Sequence, residues 1–160
     1  MGEILRAVME KNCLYSQPSY FSLPLTLVTS GAPPSIGRRQ ASVQWKTDSW
    51  FLVIGWAQFT AFANVAFLGW APPLLASTFV LAKGNNQEQF EFGGPAPQAN
   101  HNGNLNDFVS LPEYPLIAPG ELVTVFEDVQ VTNTGSPFTR TTTVTLAGVE
   151  YQMPPSSGAL

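Results

Sequence analysis

Charged residues are scarce in this chain. Asp, Glu, Lys and Arg make up 11% of its 160 residues, where soluble domains ordinarily carry about 25%. Two long stretches, Asn12 to Gly37 and Ser49 to Ala82, contain none at all. Cysteine and histidine occur once each, as Cys13 and His101. A single cysteine excludes an internal disulfide framework, and one His with one Cys cannot furnish a zinc ligand set. Basic clusters are missing as well. Residues 84–160 hold one base against eight acids, while residues 1–83 hold six bases and three acids. Phosphate contacts need clustered Lys and Arg, so nucleic acid is not an expected partner. The isolated Arg38-Arg39 pair reads as a solvated loop.

The uncharged stretch Ser49 to Ala82 raises the question of a membrane. A spanning helix needs about 20 apolar residues, and Trp50 to Ala71 is long enough, with Arg38, Arg39 and Lys46 before it. Gln58, Thr60 and Asn64 fall at its centre, where polar groups are costly in lipid, and Pro72-Pro73 cuts it. The other uncharged stretch is broken by Pro18, Pro24, Pro33 and Pro34 and cannot span anything. Low charge is thus a habit of the whole chain, and buried strands are the better reading. The apolar segment also starts too far along the chain for a secretory signal.

What the chain does have is apolar bulk and punctuation. Hydrophobic residues make up 44%, and 13 Gly and 14 Pro imply many turns, as in all-β folds. Ile4, Leu5, Val8 and Met9 sit at helical spacing, predicting a short helix over Glu3 to Asn12 that must lean on the body or on a neighbouring subunit. Phe21 to Val28 is extended and apolar, and Pro24 within it suits an edge strand or a draped arm. Val43, Trp45 and Thr47 alternate with polar neighbours, the pattern of a half-buried strand. Trp50 to Phe62 reads as a strand rich in aromatic and β-branched residues, with Gly55 marking a bulge or close backbone approach. A helix across Trp56, Phe59, Ala63, Phe67 and Trp70 competes with it. Ser77 to Leu81 is another strand, closed by the turn formers after Lys83. Leu122 to Val131, with a register change expected at Glu127-Asp128, and Thr139 to Tyr151 are expected to form a β-hairpin with a wide loop.

Catalytic apparatus is hard to find. His101 lies in Asn100-His101-Asn102-Gly103 without positioning partners for a general base. Cys13 lacks an electropositive setting apart from Lys11. Asn102, Asn104, Asn106 and Asp107 resemble a fragment of a calcium loop, yet no closing Glu follows. Gly93-Gly94 lacks the Lys and helix of a phosphate loop. Glu127 and Asp128 are adjacent on a strand and so point to opposite faces, which prevents them from flanking one bond. No catalytic, metal-binding or cofactor-binding residue is expected, and the chain is not expected to be an enzyme.

Some residues, taken in order, carry a resemblance. A strand ends in Thr47-Asp48-Ser49-Trp50-Phe51, and Pro115-Leu116-Ile117-Ala118-Pro119-Gly120-Glu121 opens a long strand. Asn133-Thr134-Gly135 and a final Gly148-Val149-Glu150-Tyr151 follow. Over roughly residues 40–153 this resembles the small β-sandwich virion proteins of tailed bacteriophages. The resemblance implies an antiparallel β-sandwich or jelly-roll-like fold and a place in the particle as a head-associated, decoration, neck or tail component. The N-terminal helix and the apolar middle depart from that pattern.

The resulting expectation is an all-β chain with three parts: an N-terminal helix and extended arm (1–40), a β-sandwich (41–153) and a short tail (154–160). The expected role is structural, by contact with copies of itself and other virion proteins, with Phe21, Leu23, Leu25 and Leu27 as the assembly face of the arm. Two alternatives stand beside it. One is a carbohydrate- or receptor-binding sandwich, which needs a solvent-facing Trp for stacking; the other is a small membrane protein.

Overall fold

The computed structural model describes residues 2–29, 35–63, 75–85, 88–91, 96–97, 109–111, 113–131 and 138–154. Helix α1 (Gly2–Asn12) is followed by β1 (Tyr15–Thr29), β2 (Ser35–Gln44), β3 (Trp50–Ala63), β4 (Leu75–Lys83) and β5 (Glu88–Glu91). Three two-residue strands come next, β6 (Ala96–Pro97), β7 (Val109–Ser110) and β8 (Leu116–Ile117). The long β9 (Leu122–Val131) and β10 (Phe138–Gln152) complete the order. No helix among the described residues is long and apolar enough to cross a membrane.

The strands form two five-stranded antiparallel sheets packed into a β-sandwich. One has the order β1-β10-β3-β7, with β8 also on the free side of β3; the other has the order β2-β9-β4-β5, with β6 beside β4. We call them the first and second sheets. The chain changes sheet at nearly every long connection, so β1, β3 and β10 lie in the first while β2, β4 and β9 lie in the second.

Between the sheets the interior is aromatic at one end and polar at the other. Phe21, Trp45 and Phe51 meet at the first end, with Trp45 and Phe51 ring centroids 4.7 Å apart and Phe21 5.3 Å from Trp45. Trp56 and Phe79 meet across the sheets as a tilted ring pair, centroids 5.4 Å apart, and Val123, Val125, Val144 and Leu146 fill the space around them. Toward the start of β10 the inward side chains become Gln58, Glu127, Arg140 and Thr142, all buried.

A bulge resolves the ambiguous periodicity of β3. Ala147 pairs with Gly55 but Gly148 pairs with Val53, which leaves Ile54 as the extra residue. Inward positions therefore switch from odd (Phe51, Val53) to even (Trp56) along one strand, as a single inserted residue requires. The close approach expected at Gly55 falls opposite it. A Cβ on Gly148 would collide with the carbonyl oxygen of Leu52, so only glycine fits there.

Helix α1 lies against the outer surface of the first sheet. Met9 packs on Leu52 and Tyr151, flanked by Leu5, Trp50 and Val149; Leu52 is the outward neighbour of inward Phe51 and Val53. The first part of β3 is thus covered on both sides, by the second sheet and by the helix. That explains an unbroken apolar run where a one-sided strand would alternate.

Several expectations need correction. Residues 1–40 are not an arm separate from a body. β1 runs along β10 for its whole length and β2 along β9, so the sandwich begins near residue 15. Leu23, Leu25 and Leu27 are 3%, 1% and 2% exposed, and Phe21 is packed against the same core. Alternation in Phe21–Val28 signalled a face needing cover, and the chain's own second sheet provides it. The expected hairpin of β9 and β10 does not form, because the two strands sit in different sheets. Nor does β9 change register at Glu127-Asp128; its pairing with β2 and β4 is continuous. Arg38-Arg39 belongs to strand β2 and not to a loop.

Other expectations match. The helix spans Gly2–Asn12, Trp50–Ala63 is a strand, and β1 with its Pro24 is an edge strand. Beyond Lys83 the chain turns through Gly84 and Asn85, both at positive φ.

Candidate functional site

The residues screened for chemistry are dispersed. His101, Gly93-Gly94 and the Asn102–Asp107 segment lie outside the described residues. Cys13 follows α1, half-buried, with its Sγ 3.4 Å from the Glu10 carbonyl. Among the described residues no group of His, Cys, Asp and Glu is placed to hold a metal ion.

Glu127 and Asp128 do face opposite ways. Asp128, on the outer surface of the second sheet, accepts two hydrogen bonds from Arg38, at 2.8 and 2.7 Å. That bonding holds its carboxyl below its ordinary pKa, and the Arg38 guanidinium also lies 5.0 Å over the Phe126 ring. Glu127 points inward and accepts from Arg140 Nη2 at 2.6 Å, with both side chains fully buried. Burial pulls the Arg140 pKa down, and the charge and hydrogen bond of Glu127 oppose that pull. Arg39, opposite Glu127 in the ladder, is half-buried. The Arg38-Arg39 pair is thus split between two faces and makes no basic patch.

A second polar link stands at the other end of the sandwich. Lys46 Nζ donates to both oxygens of Glu150, at 3.0 and 2.8 Å, and Gln17 donates at 3.3 Å. Burial alone would raise the Glu150 pKa, but the bonds from Lys46 and Gln17 outweigh it and the net direction is down. These contacts hold strand ends together and keep the Glu150 carboxylate paired. A cleft of about 290 Å³ lies between α1 and the body, lined by Leu5, Lys83, Glu88, Phe90, Tyr114 and Leu116. Of the three charged residues that line it, Lys83 and Glu88 are paired at 2.8 Å and Glu113 is exposed.

Among the described residues, the tryptophans are not presented for stacking on a sugar. Trp45 and Trp56 are 6% and 2% exposed, the Trp45 indole N–H donates to the Ser49 carbonyl at 2.9 Å, and Trp50 is half-buried beneath α1. Trp70 lies outside the described residues.

The distinctive surface is the outer side of the first sheet beyond α1. From β1 it receives Tyr20, Ser22, Pro24, Thr26 and Val28, all exposed. From β10 come Thr139, Thr141, Thr143 and Thr145, paired across the ladder with the outward residues of β1. From β3 come Ala57, Phe59 and Ala61. Not one of these carries a charge. Tyr20, Val28 and Phe59 are 73%, 68% and 69% exposed. Beside this face, α1 turns Ile4 and Val8 to solvent at 71% and 51%. The second sheet differs, since its outer surface carries the Arg38–Asp128 pair.

The sequence reading did not find this face, because it assigned the apolar side of β1 to assembly when that side is the core. The signal was available in the threonines at 139, 141, 143 and 145, whose spacing of two places them on one face. Arg140 could also have been placed: it is the only base after Lys83 and shares parity with the inward Val144 and Leu146.

The described residues therefore form an antiparallel β-sandwich with helix α1 on an outer face. No protein-family model matches it, and no curated protein matches its sequence. Among solved structures it is similar to VP17, a capsid protein of bacteriophage P23-77, at 9% identity and a TM-score of 0.43, over 89% of this chain and 99% of that one. It is also similar to the mosquito-larvicidal Cry4Aa toxin from Bacillus thuringiensis, at 13% identity and a TM-score of 0.30, over 85% of this chain and 24% of the toxin. Neither likeness is strong enough to decide a role.

Proposed function

We propose that this chain is a structural subunit of a bacteriophage virion, a jelly roll that acts by contact with other virion proteins and copies of itself, without catalysis. The observation that carries this reading is the strand order. With β1-β10-β3-β7 in one sheet and β2-β9-β4-β5 in the other, successive long strands cross the sandwich as in a jelly roll, an architecture of viral capsid domains, lectins and cupins. Fold by itself does not fix function, so the surfaces must choose among these. Burial of Trp45 and Trp56 disfavours the sugar-stacking reading. The uncharged outer face of the first sheet favours protein contact, since large exposed apolar patches mark interaction sites. The virion location also accords with the sequence resemblance over residues 40–153. Whether the position is capsid shell, decoration, neck or tail is a matter of where in the particle this face is covered.

The test is proteomic and structural. Particles purified on a density gradient are analysed by quantitative mass spectrometry and cryo-EM. A fixed stoichiometry to the main shell protein, with density for the sandwich in the map, supports the proposal. Recovery of the chain only from infected-cell lysate, never from particles, overturns it.

A further inference from the structure

We infer that helix α1 is a releasable strap: it lifts off the first sheet as a unit, about a hinge at Cys13–Leu14, while the sandwich beneath it stays folded. This goes beyond the virion assignment and rests on how the helix is held.

Among the described residues the strap has no polar tie to the body. Each side-chain hydrogen bond of the segment closes within it. Arg6 donates to Glu10 at 2.9 Å, Asn12 to the Val8 carbonyl at 2.7 Å, and the Cys13 thiol to the Glu10 carbonyl at 3.4 Å. The Arg6–Glu10 pair, 43% and 47% exposed, supports the helix and not its docking. Apolar contact does the holding. Met9, 6% exposed, is the one buried residue of the helix and sits against Leu52 and Tyr151. Leu5 is half-buried near it, and Gly2 rests on the Tyr114 ring, where a Cβ would collide. Ile4, Ala7, Val8 and Lys11 face water.

The closed position also carries a penalty. Tyr151 is 0% exposed, and among the described residues its hydroxyl has no hydrogen-bond partner. Burial pushes the pKa of this phenol up, as for any acid shut away from water. Arg6 and Glu10 of the strap act on it through space, but neither bonds to it. A buried hydroxyl left unmet opposes the docked state, and water satisfies it once the helix lifts.

The joint lies between two hydrogen bonds. The Cys13 N–H donates to the Met9 carbonyl at 3.0 Å and ends the helix, while the Leu14 N–H already donates to the Gln152 carbonyl at 2.8 Å. From Tyr15 onward β1 is paired with β10, so the strap leaves without unzipping a strand. Its 11 residues are too few to persist as a helix in water, and its amides therefore lose protection together. Release bares Leu52 and Tyr151 beside the uncharged face, so the strap sets how much apolar surface the first sheet presents.

Native-state hydrogen exchange, read by mass spectrometry on the full chain, tests this with wild type, Tyr151→Phe, Met9→Ala and Val125→Ala. Val125 is buried on β9 of the second sheet and serves as the control. Melting temperature is recorded for each variant to show that it folds. In wild type the α1 amides should exchange at least about a hundredfold faster than those of β3 and β10. Tyr151→Phe should slow α1 exchange about tenfold by removing the unmet hydroxyl, and Met9→Ala should speed it about tenfold or more. Val125→Ala should speed exchange in β3 and β10 and leave α1 unchanged, because the strap opens without the sandwich unfolding. Helix amides protected as strongly as the strands, or accelerated together with them by Val125→Ala, overturn the inference, as does a Met9→Ala helix that exchanges like wild type. Exchange in Tyr151→Phe that is unchanged or faster overturns the part assigned to the hydroxyl. None of these results touches the presence of the chain in particles, so the two proposals fail separately.

Discussion

Arg140 of β10 reaches across the sandwich to Glu127 of β9, Nη2 to Oε2 at 2.6 Å, with neither side chain exposed. The two strands are consecutive in sequence and lie in opposite sheets. Their ion pair therefore fastens one sheet to the other at the polar end of the core. Taking both charges out of water is costly, and their attraction offsets that cost only while both partners are present.

Removing either partner of this pair should cost much more than removing both. Arg140→Met and Glu127→Leu are each expected to destabilise the fold by about 3–5 kcal/mol, whereas the two replacements together should recover most of the loss. Urea unfolding of the two single variants and the double variant gives the coupling. Additive losses would show that the pair does not act as a unit.

Trp56 is the aromatic link on the other side of that polar end. It is 2% exposed and its ring meets that of Phe79 of the second sheet at a tilt. Trp56→Ala should lower stability by about 3–5 kcal/mol through the cavity it leaves. A Trp56 variant that melts like the wild type would contradict the placement of its ring in the core.

Acid should loosen the fold through two carboxylates. The Asp128 and Glu150 pKa values lie below their ordinary values of 3.8 and 4.5, so the unfolded chain binds their protons more readily. Their contribution is present above those ordinary values and is lost as pH falls through the depressed folded ones. Glu150, whose side chain is only 10% exposed, should dominate, because the exposed Arg38–Asp128 pair is screened by solvent. Melting temperature followed from pH 7 downward should fall more steeply below about 4.5 in wild type than in Glu150→Gln. Parallel curves for the two proteins would remove Glu150 as the cause.

The free edge of β1 carries its own protection. Pro18 and Pro24 are an even number of residues apart, so both missing N–H donors lie on the same side of the strand. Since β1 pairs with β10 along its whole length, that side is the open one. Prolines there deny hydrogen bonds to an incoming strand. Pro18→Thr with Pro24→Thr should leave the melting temperature little changed but raise aggregation, measured by light scattering and thioflavin fluorescence. An equally soluble double variant would show that the edge is protected by something else.

The sequence by itself marked helix α1 and the strand character of Phe21–Val28, Trp50–Phe62, Leu122–Val131 and Thr139–Tyr151. Apolar alternation in Phe21–Val28, the aromatic richness of Trp50–Phe62 and the i, i+4 spacing of Leu5 and Met9 are local properties, and local sterics and periodicity express them directly. Only the tertiary structure decided who pairs with whom. A strand's hydrogen bonds are made to partners distant in sequence, so nothing in Leu122–Val131 and Thr139–Tyr151 announces that they part into different sheets. The bulge at Ile54 moved the inward parity of β3 in a way no fixed period can anticipate. The chain's own second sheet claimed the apolar side of β1, which left the threonine side bare. Burial is a property of what lies opposite, and residue patterns name a face without naming its cover.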